Sequence, residues 1–309
     1  MVASRKSKRD HNWDLTRQQL GELGKHFIDP DILFGRASAD DLALYTPQML
    51  ASSAVRAADD VAAWDGQEPK ITIQPVPGVE HFGTPASVLS IVDRNKPFLY
   101  DSVMGEVTSL HRDIFLAIHP ILVTGPDRTI ELFRPDKPTD PAHRVSYIQL
   151  HLAPLTNEQA DALKKRLAFV LEQVRMASSD WQAMLAILET SMEEVRQVAP
   201  GRRQAERDEA LAFLDWLRND NFTFLGMREY VYTGDGPDAK LERGKGRGLG
   251  ILADPEVLVL RHGKQAVTTT PEILEFLQGP DFLIVTKANV KSVVHRRAYM
   301  DYVGVKRFD

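Results

Sequence analysis

Residues 93–101 read Asp-Arg-Asn-Lys-Pro-Phe-Leu-Tyr-Asp, two acids and two bases set around a proline. Where a chain leaves a strand and turns through a proline into a helix, the first-turn amides are exposed. Together with the positive end of the helix they attract a carboxylate. Asn95, Lys96 and Asp101 are spaced to add polar contacts to such a group. A second candidate is the run Gly244-Lys245-Gly246-Arg247-Gly248-Leu249-Gly250, in which Gly248, Gly250 and Ala253 satisfy G-x-G-x-x-A. A dinucleotide site needs a strand before that motif and a helix directly after it. Here a charged stretch precedes it and Asp254-Pro255 follows, so a mobile loop is expected.

The nine histidines offer two pairs at a spacing of eight, His111/His119 and His143/His151, with His119 and His151 on strands that can neighbour each other. There is no cysteine, no HxxxH and no converging set of carboxylates, so these read as core or surface histidines and no metal site is expected. No G-x-S-x-G elbow supports a Ser-His-Asp triad. Lys287, Lys291, His295, Arg296, Arg297, Lys306 and Arg307 make a local basic cluster. An anionic effector or RNA would use it, but the net charge of -5 and the lack of spaced aromatic platforms favour a solvated or docking face.

The elements that must carry these residues follow from hydrophobic periodicity. Residues 1–10 hold four Lys or Arg and are expected to be disordered. Trp13–Trp64 is helical, with N-cap signals at Ser38 and at Thr46-Pro47 and a stripe of Leu50, Ala54, Ala57, Ala58 and Val61. Ile71–Val76 and Ser87–Val92 read as strands, Pro97–Leu110 as a helix with Leu99, Val103, Val107 and Leu110 on one face, and Asp113–Thr124 as one buried strand. Gly125-Pro126-Asp127 is a turn, and Arg134–His143 a loop. In Val145–Ala153, Ile148, Leu150 and Leu152 point one way and Tyr147, Gln149 and His151 the other. Thr156 with Gln159 opens a long helix with a capping box, whose stripe is Ala160, Leu163, Leu167, Val170 and Val174. Helices over 180–198, with Trp181, Leu185, Leu188, Met192 and Val195 in register, and over 205–218 connect to a second, β-rich unit. That unit has strands in 222–232, 282–287 and 298–305, a Gly/Lys/Arg loop over 241–250 and a short helix capped by Thr270-Pro271.

With 309 residues, 43% of them hydrophobic and 26% charged, the chain has an ordinary globular composition and room for about two domains. The missing cysteines exclude disulfides and thiolate chemistry and fit a reducing cytoplasm. No apolar h-region follows the basic N-terminus and no run is long enough to span a membrane. Neither a nucleic-acid nor a membrane partner is expected.

Three ordered blocks of residues resemble a known family. They are Asn95–Val103 with His119-Pro120; Asn221–Gly226 with Arg228-Glu229-Tyr230; and Val294–Phe308. They are similar to the N-terminal segment of the large bacterial NAD-dependent glutamate dehydrogenases. That resemblance implies an α+β chain: an N-terminal helical segment 1–66, a ferredoxin-like ACT-type βαββα domain 67–177, a helical connector 178–220, and a PAS-like mixed α/β module 221–309 that stops short of completion. It implies that the oxidative deamination of L-glutamate to 2-oxoglutarate with NAD belongs to a domain further along a longer chain. This segment would then carry no cofactor and no catalytic residue. Its role would be regulation or homo-oligomer assembly, with self-association and the downstream catalytic domain as partners. The resemblance also assigns Asp93, Arg94, Asn95, Lys96, Phe98 and Asp101 to an effector or interface turn. Phe98 departs from the glycine that ligand-binding ACT domains carry there, and a Phe side chain fills the space that close backbone approach requires. The alternative expectation is a stand-alone ACT-type protein that senses an amino acid.

Overall fold

The computed structural model describes residues 8–81, 83–110, 112–125, 129–198, 203–233, 240–254, 257, 260–262, 265–267 and 270–307. The chain forms two compact units, 1–171 and 172–309. The division falls within one long helix.

In the first unit α1 (Lys8–Leu23), α2 (Pro30–Phe34), α3 (Ala39–Leu42) and α4 (Pro47–Ala62) precede β1 (Lys70–His81) and β2 (Thr84–Arg94). Then come α5 (Leu99–Ser109), β3 (Ile114–Ile118), β4 (Ile121–Thr124), β5 (Ile130–Leu132), β6 (Arg144–Leu152) and α6 (Asn157–Ser179). The short helices start where side chains can cap them. Asp29, Ser38 and Thr46 accept from the amides of Asp31, Asp41 and Met49, and proline opens α2 and α4. Thr156 and Gln159 form the reciprocal capping box ahead of α6, at 3.2 and 3.0 Å.

The sheet is antiparallel with order β1-β2-β6-β4-β5, and β3 also pairs with β6. The stretch expected as one strand over 113–124 is two. Pro120 has no N–H to donate, so the ladder breaks at His119-Pro120, and the Pro120 carbonyl accepts from the Tyr147 amide at 3.2 Å. β5 reads Ile-Glu-Leu, an alternation too short to mark a strand in the sequence. β1 is an outer strand whose Pro75 and Pro77 cannot donate and whose register shifts between Pro75 and Glu80.

Apart from Arg144, every residue of β6 is buried, so both of its faces are covered. On one face Val145 and Tyr147 of β6 join Val88 and Val92 of β2 in a core with Leu50, Ala54 and Ala57 of α4. The alanines of α4 let the helix approach the sheet closely. The helical segment from Trp13 to Trp64 therefore shares a core with the sheet. The polar side chains of this face are bonded to one another. His151 Nδ1 lies 2.9 Å from Tyr45 Oη, and its Nε2 lies 3.3 Å from Ser53 Oγ and 3.4 Å from Gln149 Oε1. The Gln149 amide donates to Tyr147 Oη at 3.1 Å, and that hydroxyl donates to Ser90 Oγ at 3.4 Å. Arg56 adds bonds of 2.8 Å to Asp60 and to Thr72 of β1. Ile148, Leu150 and Leu152 are buried on the opposite face of β6. Helices α5 and α6 carry buried stripes of Leu99, Val103 and Val107 and of Leu163, Leu167 and Val170, and the buried Glu106 carboxylate of α5 pairs with Arg166 of α6.

In the second unit α7 (Trp181–Gln197) and α8 (Gln204–Trp216) are followed by a wide turn, Leu217–Asn221. The strands are β7 (Gly226–Met227), β8 (Tyr230–Thr233), β9 (Lys240–Arg243), β10 (Leu249–Gly250), β11 (Leu260–His262) and β12 (Gln265–Val267). Then come α9 (Pro271–Gln278), β13 (Leu283–Lys291) and β14 (Tyr299–Val305). Antiparallel pairs form between β7 and β10, β8 and β9, β11 and β12, and β13 and β14. The span 241–250 thus carries strand pairing where a loop was expected. Leu188 and Met192 of α7 and Leu214 of α8 form a core against which Leu283 and Val303 of the β13–β14 hairpin pack. Trp181, expected in the α7 stripe, is half exposed, and Met184 is buried instead, because the inner face runs through 184, 188, 192 and 195. The Lys306 ammonium, 4.7 Å above the Phe276 ring, donates to the carbonyls of Phe276 and Gly279 at 2.7 and 2.6 Å and so closes the end of α9.

Fully burying one large apolar side chain contributes roughly 1.5–3 kcal/mol against a net stability of about 5–15 kcal/mol for a whole domain. A chain that starts at residue 67 uncovers Val88, Val92, Val145 and Tyr147 together and leaves His151 without Tyr45 and Ser53. It should show no cooperative thermal transition and should bind a hydrophobic dye, whereas residues 8–179 should melt cooperatively. Cooperative melting of the 67–177 piece would contradict this packing.

Candidate functional site

The 93–101 turn links the end of β2 to the first turn of α5. Asp93 is buried, and its carboxylate accepts from the Lys96 ammonium at 2.7 Å and from the Arg94 amide at 2.7 Å. Lys96 is itself largely buried, so its charge is answered from within the turn. Arg94 points away from the turn, donating to the Gly66 carbonyl at 3.1 and 2.9 Å and to Ala142 at 3.5 Å. Asn95 contributes its backbone amide, which donates to the Arg144 carbonyl at 2.8 Å and extends the β2–β6 ladder by one bond. Phe98 sits at φ 66°, ψ -2°, in the left-handed region immediately before α5. A residue with a Cβ is strained there, and glycine is not. The Ser102 hydroxyl and amide both donate to the Phe98 carbonyl, at 2.6 and 3.0 Å, and hold that geometry. Asp101 is exposed on the first turn of α5.

Behind the turn the fold assembles a group that sequence spacing does not reveal. Tyr100 of α5 stacks on His119 with ring centroids 4.5 Å apart and planes within 6°. His119 Nε2 lies 2.7 Å from Ser146 Oγ, and Ser146 pairs across the sheet with Asp93. Burial pushes His119 down to about 4, against a smaller opposing pull from Asp101. Burial, with Asp101 adding to it, raises the Tyr100 hydroxyl. The signal for this group was the His119-Pro120 break. Only the folded sheet shows that the break sits under Tyr100.

The other candidates resolve differently. His151 lies five residues along β6 from Ser146, about 17 Å at strand rise, and on the opposite face from it, so His119 and His151 do not converge. His111 lies outside the described residues, among which no cluster of three or more metal-ligating side chains occurs. The glycine run is packed. Gly250 has φ +56°, and a Cβ there would strike the Leu225 carbonyl, while one on Gly248 would strike that of Leu252. The chain's own backbone fills the space a pyrophosphate would need, and only the three-residue turn Ile251–Ala253 follows. In the basic cluster Lys287 pairs with Asp301, Arg307 pairs with Glu194 and Glu229, and Lys291 lies 5.4 Å from the Tyr299 ring. No described helix is long and apolar enough to cross a membrane.

Residues 31–167, from α2 into α6, match the family described as "Glutamate dehydrogenase, ACT1 domain". Over that stretch the chain is similar to the ACT1 domain of glutamate dehydrogenases. The ACT1 match begins inside the N-terminal helices, within α2. Two relatives extend the likeness, both called NAD-specific glutamate dehydrogenase. The protein of Halomonas elongata is 26% identical over 255 residues, which are 81% of this chain and 16% of the relative. That of Pseudomonas aeruginosa is 29% identical over 153 residues, 48% of this chain and 9% of the relative. The chain thus spans only a small part of the length of either relative.

Two measurements follow. Phe98→Gly and Phe98→Ala remove the same ring, but only glycine suits φ 66°. In urea unfolding the glycine variant should be the more stable by about 1 kcal/mol, the reverse of the usual order. An alanine variant of equal or greater stability would contradict the left-handed assignment. His119 and His151, pushed down to about 4 and about 3 by burial, take up protons more readily when unfolded. Their contribution is therefore complete above the unfolded value near 6.5 and declines as pH falls toward 4 and 3, by about 1.4 kcal/mol per pH unit for each histidine. Unfolding midpoints should drop steeply from pH 6.5 to 5, and less steeply for His151→Gln. A flat profile would show that neither histidine is held neutral.

Proposed function

We propose that this chain is a non-catalytic regulatory and assembly segment of an NAD-dependent glutamate dehydrogenase. The observation that carries the proposal is the ACT1 match over 31–167, joined to the relatives' name and to the small share of their length that the chain spans. In the whole protein, L-glutamate is oxidatively deaminated to 2-oxoglutarate by NAD bound outside this segment. The order β2–α5–β3/β4–β6–α6, with β6 between the strands that flank α5, supports reading the sheet as a ferredoxin-like ACT-type βαββα arrangement with β1 added at its edge. Residues 221–309 are read as a PAS-like module on the motif resemblance.

The turn supports an assembly role in preference to effector binding. Lys96 is paired with buried Asp93, and Phe98 occupies the position where a ligand would need open backbone. Edge-to-edge pairing at β1 is opposed by Pro75, Pro77 and the register shift. Copies of the chain therefore associate through the outer face of α5 and the 93–101 turn, where Asp101 is exposed.

The test uses the 309-residue chain. Sedimentation should show self-association at micromolar concentration, weakened at least tenfold by Asp101→Arg, and no NADH should form from L-glutamate and NAD. A monomer at all concentrations would overturn the assembly role, and turnover would overturn the non-catalytic one. Saturable binding of an amino acid, lost in Asn95→Ala, would favour a sensor.

A further inference from the structure

We draw no further inference here: the strongest candidate, the exposed aromatic patch formed by Trp216 at the end of α8 stacked on Phe213, carries nothing because nothing in the structure shows what covers it.

Discussion

The first unit depends on the burial of β6 from both sides. A central strand with two apolar faces would be indifferent to which face met which layer, because a slip of one residue moves every side chain to the other side. In β6 the faces differ. Ile148, Leu150 and Leu152 form one, and Tyr147, Gln149 and His151 the other. The polar face can be buried only where its hydrogen bonds are answered, and Tyr45, Ser53 and Ser90 answer them. The polar chain therefore selects the register of β6 and the docking of α4, while the apolar residues around it supply most of the stability. An unpaired polar group there would cost about 1–3 kcal/mol, which makes alternative dockings unfavourable.

The candidate turn inherits its geometry from this arrangement. Asp93 and Ser146 face each other across β2 and β6, so the register that pairs them also sets the distance from the turn to His119 and Tyr100. Within the turn Asp93 and Lys96 answer each other's charge, and the strained Phe98 is held by Ser102. Strain in a sparsely populated backbone region persists only where the surroundings over-determine it, and here β2, β6 and α5 do so. A turn built this way presents a fixed shape to a neighbour more readily than it yields to a ligand.

Much of this fold was legible in the sequence. The caps at Ser38, Thr46, Thr156 and Thr270 and the stripes of α4, α5 and α6 follow from local chemistry, and the structure places helices there. What was not legible is tertiary. Gln149 and His151 are polar residues of a strand, and only a partner from another part of the chain makes their burial tolerable. The break at Pro120 is local, but its use as the floor under Tyr100 is not. The glycines at 248 and 250 satisfy a phosphate-binding pattern in sequence, while close approach of the Leu225 and Leu252 carbonyls explains them in structure. Trp181 matches the helical period of α7 yet faces solvent, because the helix begins there and the buried face is set by Met184.

The central claim is that α4 and β6 form one cooperative unit joined by the polar chain through His151. Native-state amide hydrogen exchange under increasing denaturant tests it most directly. The account predicts that the amides of α4 and β6 share one opening free energy and one denaturant dependence, and that His151→Ala lowers both together. Exchange of α4 at a distinctly lower free energy than β6, unaffected by His151→Ala, would contradict it.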